Sequence, residues 1–313
     1  MKFPVFDLHC DTSDALSGLG GDLPCELKQN SVHIDLERAA AFPGYAQCFA
    51  CFTTTLEQGD PVDRFEKKMN AIHRELYKNA DKIAQVFCAD DIESNFRDGI
   101  ASAILTIEGP AGFGFDPELL EDLYHVGFRM STLGWNESNP LTGSHVTGGG
   151  LTEQGRAYVK EAQRLGMLID VSHISDEGFW DIVDMTQAPI VASHSNSRAI
   201  CGVSRNLTDD MFRAICRTGG VAGINLYPDF LGEHATLDTA VDHILHFLEL
   251  DPEGKHICLG GDLDGVECLP DGFAGVQDYT KLADRLLASG LDDSMVYNIF
   301  WNNALEVFKT CCM

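Results

Sequence analysis

Eight short apolar runs, separated by longer stretches with helical periodicity, constrain this chain more than any other feature. FPVFDLH, YAQCFACF, ASAILTIE, FRMSTLGW, GMLIDVSH, PIVASHS, GVAGINLY and HICLGGDLD read as strands. Amphipathic stretches lie between them at 62–86, 119–126, 152–165, 209–218 and 237–250, several opened by Thr or Asp in N-cap position. Strands apolar on both faces must be covered on both faces, which implies a parallel sheet with crossover helices. About eight such units in 313 residues predict an α/β fold, a closed (β/α)8 TIM-like barrel, with a doubly wound open sheet as the alternative. No internal repeat, low-complexity tract or long linker divides the sequence, so 1–313 reads as one barrel domain. In a barrel the C-terminal strand ends meet at one mouth, where active sites of this fold are built.

A hydrophobic content of 44% supplies an ample core, and a formal charge of -26 repels phosphate backbones and anionic lipid while favouring divalent cations. Nucleic acid and membrane partners are therefore not expected. The N-terminus MKFPVFDLHCD turns polar too early for a secretory signal, and no apolar run approaches a membrane span, so a cytoplasmic location is expected. Eleven cysteines, an odd number spread through strand and helix segments, fit reduced thiols better than disulfides. Cys48 and Cys51 have CxxC spacing, but inside an apolar run with no second CxxC they read as a buried strand.

The strand ends carry the chemistry. Strand alternation places His9 and Asp11 on one face, with Leu8 and Cys10 turned the other way. Glu108 closes LTIE, His173 closes IDVSH, His194 closes VASH and Asp262 lies in GGDLDG. Any one of these reads as an ordinary polar strand terminus. Six of them at the same end of five strands read as one site. Three imidazoles and up to three carboxylates suit zinc or a similar first-row divalent ion, manganese and iron included, and exceed what a single tetrahedral catalytic ion uses. Two ions sharing a carboxylate would make water nucleophilic and polarise a carbonyl, which is hydrolase chemistry. Other candidates read as structural: His243 and His246 as an exposed helix face, Cys10 as turned away from His9, and HSNSR and GVSRN as lacking the G-x-S-x-G elbow.

FDLHCDTSDAL, LTIEGP, GLTEQGRAYVKEAQRLGMLIDVSH, SHSNSRAICGVSRNLTDD and GGDLDGV resemble, in order and nearly end to end, the renal (membrane) dipeptidase family of zinc metallopeptidases in the amidohydrolase superfamily. The resemblance implies a barrel with two zinc ions that hydrolyses dipeptides by attack of a bridging hydroxide, often tolerating a D-residue at the C-terminal position. It implies His9 and Asp11 on one ion, His173 and His194 on the other, and Glu108 between them. Asp262 would carry the proton from water to the leaving amine, and Arg205 would bind the substrate carboxylate. Tyr227 falls where it would line the pocket, and a homodimer is common in such families. One position departs: where the family usually has a histidine supporting the oxyanion, this chain has Trp135, with Asn136 and His145 nearby as other donors. Tryptophan offers one N–H and a flat face but never an imidazolium. Two further readings stay open: a metal-dependent hydrolase of another small amide or lactone, and a binding protein with weakened catalysis.

Overall fold

The computed structural model describes residues 2–19 and 24–312. Among these residues nine strands, β1 Val5–Cys10, β2 Tyr45–Phe52, β3 Ile83–Gln85, β4 Ala101–Glu108, β5 Phe128–Thr132, β6 Leu168–Asp170, β7 Ile190–Ala192, β8 Val221–Ile224 and β9 Ile257–Leu259, all pair in parallel. The order β2-β1-β9-β8-β7-β6-β5-β4 closes on itself through β2 and β4, giving an eight-stranded barrel with helices between the strands. The eight apolar runs of the sequence are these eight barrel strands.

The ninth strand, β3, lies outside the barrel, where Ile83–Gln85 pair with Ala101–Ala103 at the start of β4. It corrects the expectation of one helical stretch over 62–86. The helix covers only Pro61–Lys78 and stops at Asn79, whose side-chain amide donates to the Glu75 carbonyl at 2.9 Å. Leu76, Ala80 and Ile83 keep helical spacing across that break, so periodicity alone runs through it.

Helix entry follows the N-caps. The side chains of Asp60, Thr152, Ser175 and Thr208 each accept a first-turn backbone N–H. Phe6, Leu8, Ala46, Cys48, Ile104, Met130, Leu168, Val191, Val221 and Cys258, drawn from every barrel strand, form one apolar cluster. The C-terminal helical segment adds Trp301 and Phe308, whose rings lie 5.7 and 5.4 Å from Phe6. A second cluster, with Val5, Leu105, Phe128 and Ile169, packs the outer strand faces against the helices. With the interior filled by carbon, the polar side chains collect at the strands' C-terminal ends.

Strict alternation does not hold along β1. Its register against β2 shifts between Asp7 and Cys10. Leu8 joins Phe6 in the first cluster while Cys10 joins the second, so Leu8 and Cys10 do not share a face as alternation predicts. Cys48 and Cys51 are buried strand residues, and all eleven cysteines are free thiols. Among the described residues, no helix is long and apolar enough to cross a membrane.

Candidate metal centre

Five barrel strands deliver the six side chains to one spot. His9 lies near the end of β1 with Asp11 just beyond it, and Glu108 is the last residue of β4. His173, His194 and Asp262 follow β6, β7 and β9 by two or three residues. His173 and Asp262 adopt φ of +67° and +57°, a backbone region that costs energy for residues with a Cβ and that recurs at functional sites. His9 Nε2 stands 3.2 Å from Asp11 Oδ2, 3.2 Å from Glu108 Oε2 and 3.7 Å from Asp262 Oδ1. His173 Nε2 stands 3.0 Å from Glu108 Oε1 and 3.0 Å from His194 Nε2. Glu108 thus turns one oxygen to His9 and the other to the His173–His194 pair.

The proton positions at this spot favour a cation. His173 Nδ1 lies 2.9 Å from Asn136 Oδ1, an acceptor, so the ring proton sits on Nδ1 and Nε2 presents a lone pair. Ser193 Oγ gives its own proton to Asp170 Oδ2, and therefore accepts from His194 Nδ1 at 2.6 Å. His194 Nε2 then also presents a lone pair. Two basic nitrogens and a carboxylate oxygen face one another with no proton between them. Asp11 Oδ1, buried, has no hydrogen-bond partner among the described residues. This donor set fits divalent ions, with His173, His194 and Glu108 on one side, His9, Asp11 and Glu108 on the other, and Asp262 beside His9. Two groups, His9–Glu108–His194 and His9–Asp11–Asp262, each bring their ligand atoms within 4.8 Å of one another.

Without ions the charges press on one another. Burial, then the Glu108 charge, pushes the Asp11 carboxyl up to about 8, and burial also raises Asp262. Burial, then Arg205, pushes His173 down to about 3, and burial with His9 takes His194 well below its ordinary value. Burial would lower His9 and raise Glu108, but the charges and hydrogen bonds around each together outweigh it: Glu108 with Asp11 holds His9 well above its ordinary value, and His9 with His173 holds Glu108 low.

Supporting residues that the sequence reading did not find hold this constellation. Asp7 accepts the backbone N–H groups of His9 and Gly261, each at 3.0 Å, and the Tyr279 hydroxyl. Asn225 donates to Asp262 Oδ2 at 3.0 Å and accepts from the Tyr227 backbone at 2.6 Å. Asp170 accepts from the backbone N–H groups of Ser172 and Ser193, both at 2.9 Å. Asp7 and Asp170 each stand two or three residues before a proposed ligand, the one sequence signal that points to them.

Arg205 is 4% exposed and donates from Nη1 to Ser195 Oγ at 2.6 Å, while buried Nε and Nη2 have no partner among the described residues. Its guanidinium lies 5.6 Å from the Phe230 ring, and Phe230 meets Tyr227 edge-on at 5.0 Å. Trp135 lies 5.1 Å from the Phe52 ring and 6.2 Å from His173. His145 is pushed down to about 4 by burial, then by Arg205 and Arg198, and is neutral. His243 is not on an exposed face, as its spacing with His246 implied: it is fully buried, accepting Ser197 N–H at 3.0 Å and facing the Leu231 carbonyl at 3.1 Å. His246 pairs with Asp209 at 2.9 Å.

Comparison with known proteins places this geometry. The sequence model of the membrane dipeptidase family, peptidase family M19, matches residues 1–312. An uncharacterized protein in the pqqA 5' region of Klebsiella pneumoniae is 34% identical over 265 residues, 80% of this chain and 97% of that protein. An uncharacterized dipeptidase of Schizosaccharomyces pombe is 33% identical over 269 residues, 84% of this chain, which spans 63% of that relative's length. A metallo peptidase from Rhodobacter sphaeroides, solved with a phosphinate mimic of the dipeptide L-Ala-D-Ala, superposes with a TM-score of 0.89 at 25% identity, covering 99% of this chain and all of that one. The dipeptidase AC, a metallo peptidase of family M19, gives 0.88 at 26% identity over 99% of both chains. The chain belongs to the membrane dipeptidase family, peptidase family M19, of metallo-hydrolases.

Proposed function

We propose that the chain hydrolyses dipeptides, L-D dipeptides among them, with two divalent ions, zinc the leading choice, held by His9, Asp11, Glu108, His173 and His194. The observation that carries this reading is the buried, two-thirds-unpaired guanidinium of Arg205 beside a carboxylate shared by facing imidazoles. A desolvated cation with one neutral partner is costly unless an anion completes it, and a forked guanidinium matches a carboxylate. A dipeptide has its free carboxylate one residue from the scissile bond. Ions at such donors supply acidified water and a polarised carbonyl.

The chain's own residues do the rest. Arg205 fixes the substrate's carboxylate and so sets which peptide bond faces Glu108 and Asp262. Asp262, held by Asn225 with its carboxyl raised by burial, takes a proton from the attacking water and returns it to the amine nitrogen as the C–N bond breaks. Trp135 and Tyr227 line the pocket, Trp135 against His173 and Tyr227 through Phe230. The L-Ala-D-Ala mimic bound by the Rhodobacter sphaeroides relative supports a D-residue at the carboxylate end.

A metal-replete preparation should cleave members of an L-L, L-D and glycyl dipeptide panel, lose activity to chelator, and spare the same dipeptides amidated at the C-terminus. A preparation shown to carry its metals yet inert toward the whole panel would contradict the reading. Trp135 favours one second reading, an N-acyl amino acid hydrolase, because that substrate keeps the carboxylate for Arg205 and offers an apolar acyl group to the indole. Faster turnover of N-acyl amino acids than of every dipeptide would select it.

A further inference from the structure

The segment after β5 carries more than a tryptophan in place of a histidine. We infer that Asn136 is a positioning residue that sets the His173 tautomer for cation binding, with His145 as its brace. Asn136 Oδ1 lies 2.9 Å from His173 Nδ1 and 2.9 Å from His145 Nε2, so both of its lone pairs are engaged by imidazole N–H groups. His145 Nδ1 lies 3.0 Å from Ser204 Oγ, which leaves the hydroxyl as donor and the His145 proton on Nε2, facing Asn136. The four residues form one consistent chain of donors and acceptors that ends with the His173 Nε2 lone pair turned to Glu108 and His194.

The same residues also fix His173 through the backbone. His145 N–H donates to the His173 carbonyl at 2.8 Å, and Ser144 bridges Ile174, so the loop after β5 is fastened to the loop after β6 next to the imidazole. His173, at φ +67°, lies at this fastening. Ser204 adjoins Arg205, so the chain also ties the ion side of the pocket to the carboxylate side. A ligand imidazole whose remote nitrogen lacks an acceptor typically binds its metal about 10–100-fold more weakly.

The assignment rests on the reading of His173 as a cation ligand, and the test separates the two. Zinc stoichiometry and affinity are measured on the full chain by elemental analysis and chelator competition, with the visible spectrum of the cobalt-loaded chain as a second readout. Wild type should hold two ions. Asn136→Leu, similar in size but without an acceptor, should weaken one of them about 10–100-fold and change the cobalt spectrum. Asn136→Asp, which keeps the acceptor, should hold both within about threefold of wild type, on the same basis. A wild type that binds no ion overturns the metal reading and the inference with it. Two ions in wild type and two equally tight in Asn136→Leu overturn the inference alone. Should the leucine variant fail to fold, His145→Ala keeps the question open to refutation: weaker binding of one ion supports the brace, and unchanged affinity overturns it.

Discussion

At the scale of single residues, the site leaves no room for a methyl group. A Cβ on Gly265 would stand 2.2 Å from Asp11 Oδ2 and 2.6 Å from Asp262 Oδ1, although the residue itself is exposed at the mouth. Gly265→Ala should therefore fold normally and move two acidic side chains, with kcat falling by about 100-fold, the cost of displacing reacting groups by roughly 1 Å. Wild-type kcat in a folded Gly265→Ala chain would show that these carboxylates do not need their present positions. Arg205→Met removes the proposed carboxylate clamp. Loss of charge-assisted bonds worth about 3 kcal/mol should cut kcat/KM about 100-fold for dipeptides, and Arg205→Lys, lacking the fork, should recover only part of it. Equal kcat/KM in wild type and Arg205→Met would remove carboxylate recognition from the reading.

At the scale of elements, the helix Leu237–Leu250 pins the loop that carries Arg205, because His243 Nδ1 accepts Ser197 N–H from that loop. Burial lowers the His243 pKa, so its folded value lies below the unfolded one. The associated stability is present in full above the unfolded value of about 6.5 and is lost as pH falls through it toward the folded value, with a slope of at most about 1.4 kcal/mol per pH unit. Urea denaturation of His243→Gln should show a shallower loss between pH 7 and pH 5 than wild type, and identical slopes would count against it. The same histidine marks a limit of sequence reading. An i, i+3 pair on an amphipathic helix does not show which residue turns inward, and the donor that His243 meets inside comes from Ser197, 46 residues upstream. The barrel strands were legible because each is a bounded apolar run. Strand β3, three residues long, was hidden under helical spacing that outlasts the helix. Glu108 and the three site histidines were legible because each closes such a run. Asn225 was not, and Asn136 was legible as a nearby donor but not as the acceptor for His173, since Asp262 and His173 follow other strands and only folded geometry makes those pairs.

At the scale of the whole molecule, the proposed ions bridge β1, β4, β6 and β7, half of the barrel's strands. In the unfolded chain these donors are scattered over 186 positions, from His9 to His194, so ions would bind the folded state in preference and stabilise it by mass action. Binding also relieves a conflict that the barrel otherwise carries: lone pairs facing lone pairs at His173 and His194, and three carboxylates around His9. At a free ion concentration of 100 times Kd the gain is about 2.7 kcal/mol. With the unfolding entropy usual for a chain of this length, that raises Tm by about 4 °C. Scanning calorimetry of the chelator-treated chain, before and after adding zinc or manganese, should show the rise, and fresh chelator should reverse it. Glu108→Ala and His194→Ala, which remove donors, should lose most of the shift, whereas Arg205→Met, outside the donor set, should keep it. A wild-type Tm indifferent to every divalent ion tested would mean that the five strand ends meet for some purpose other than holding metal.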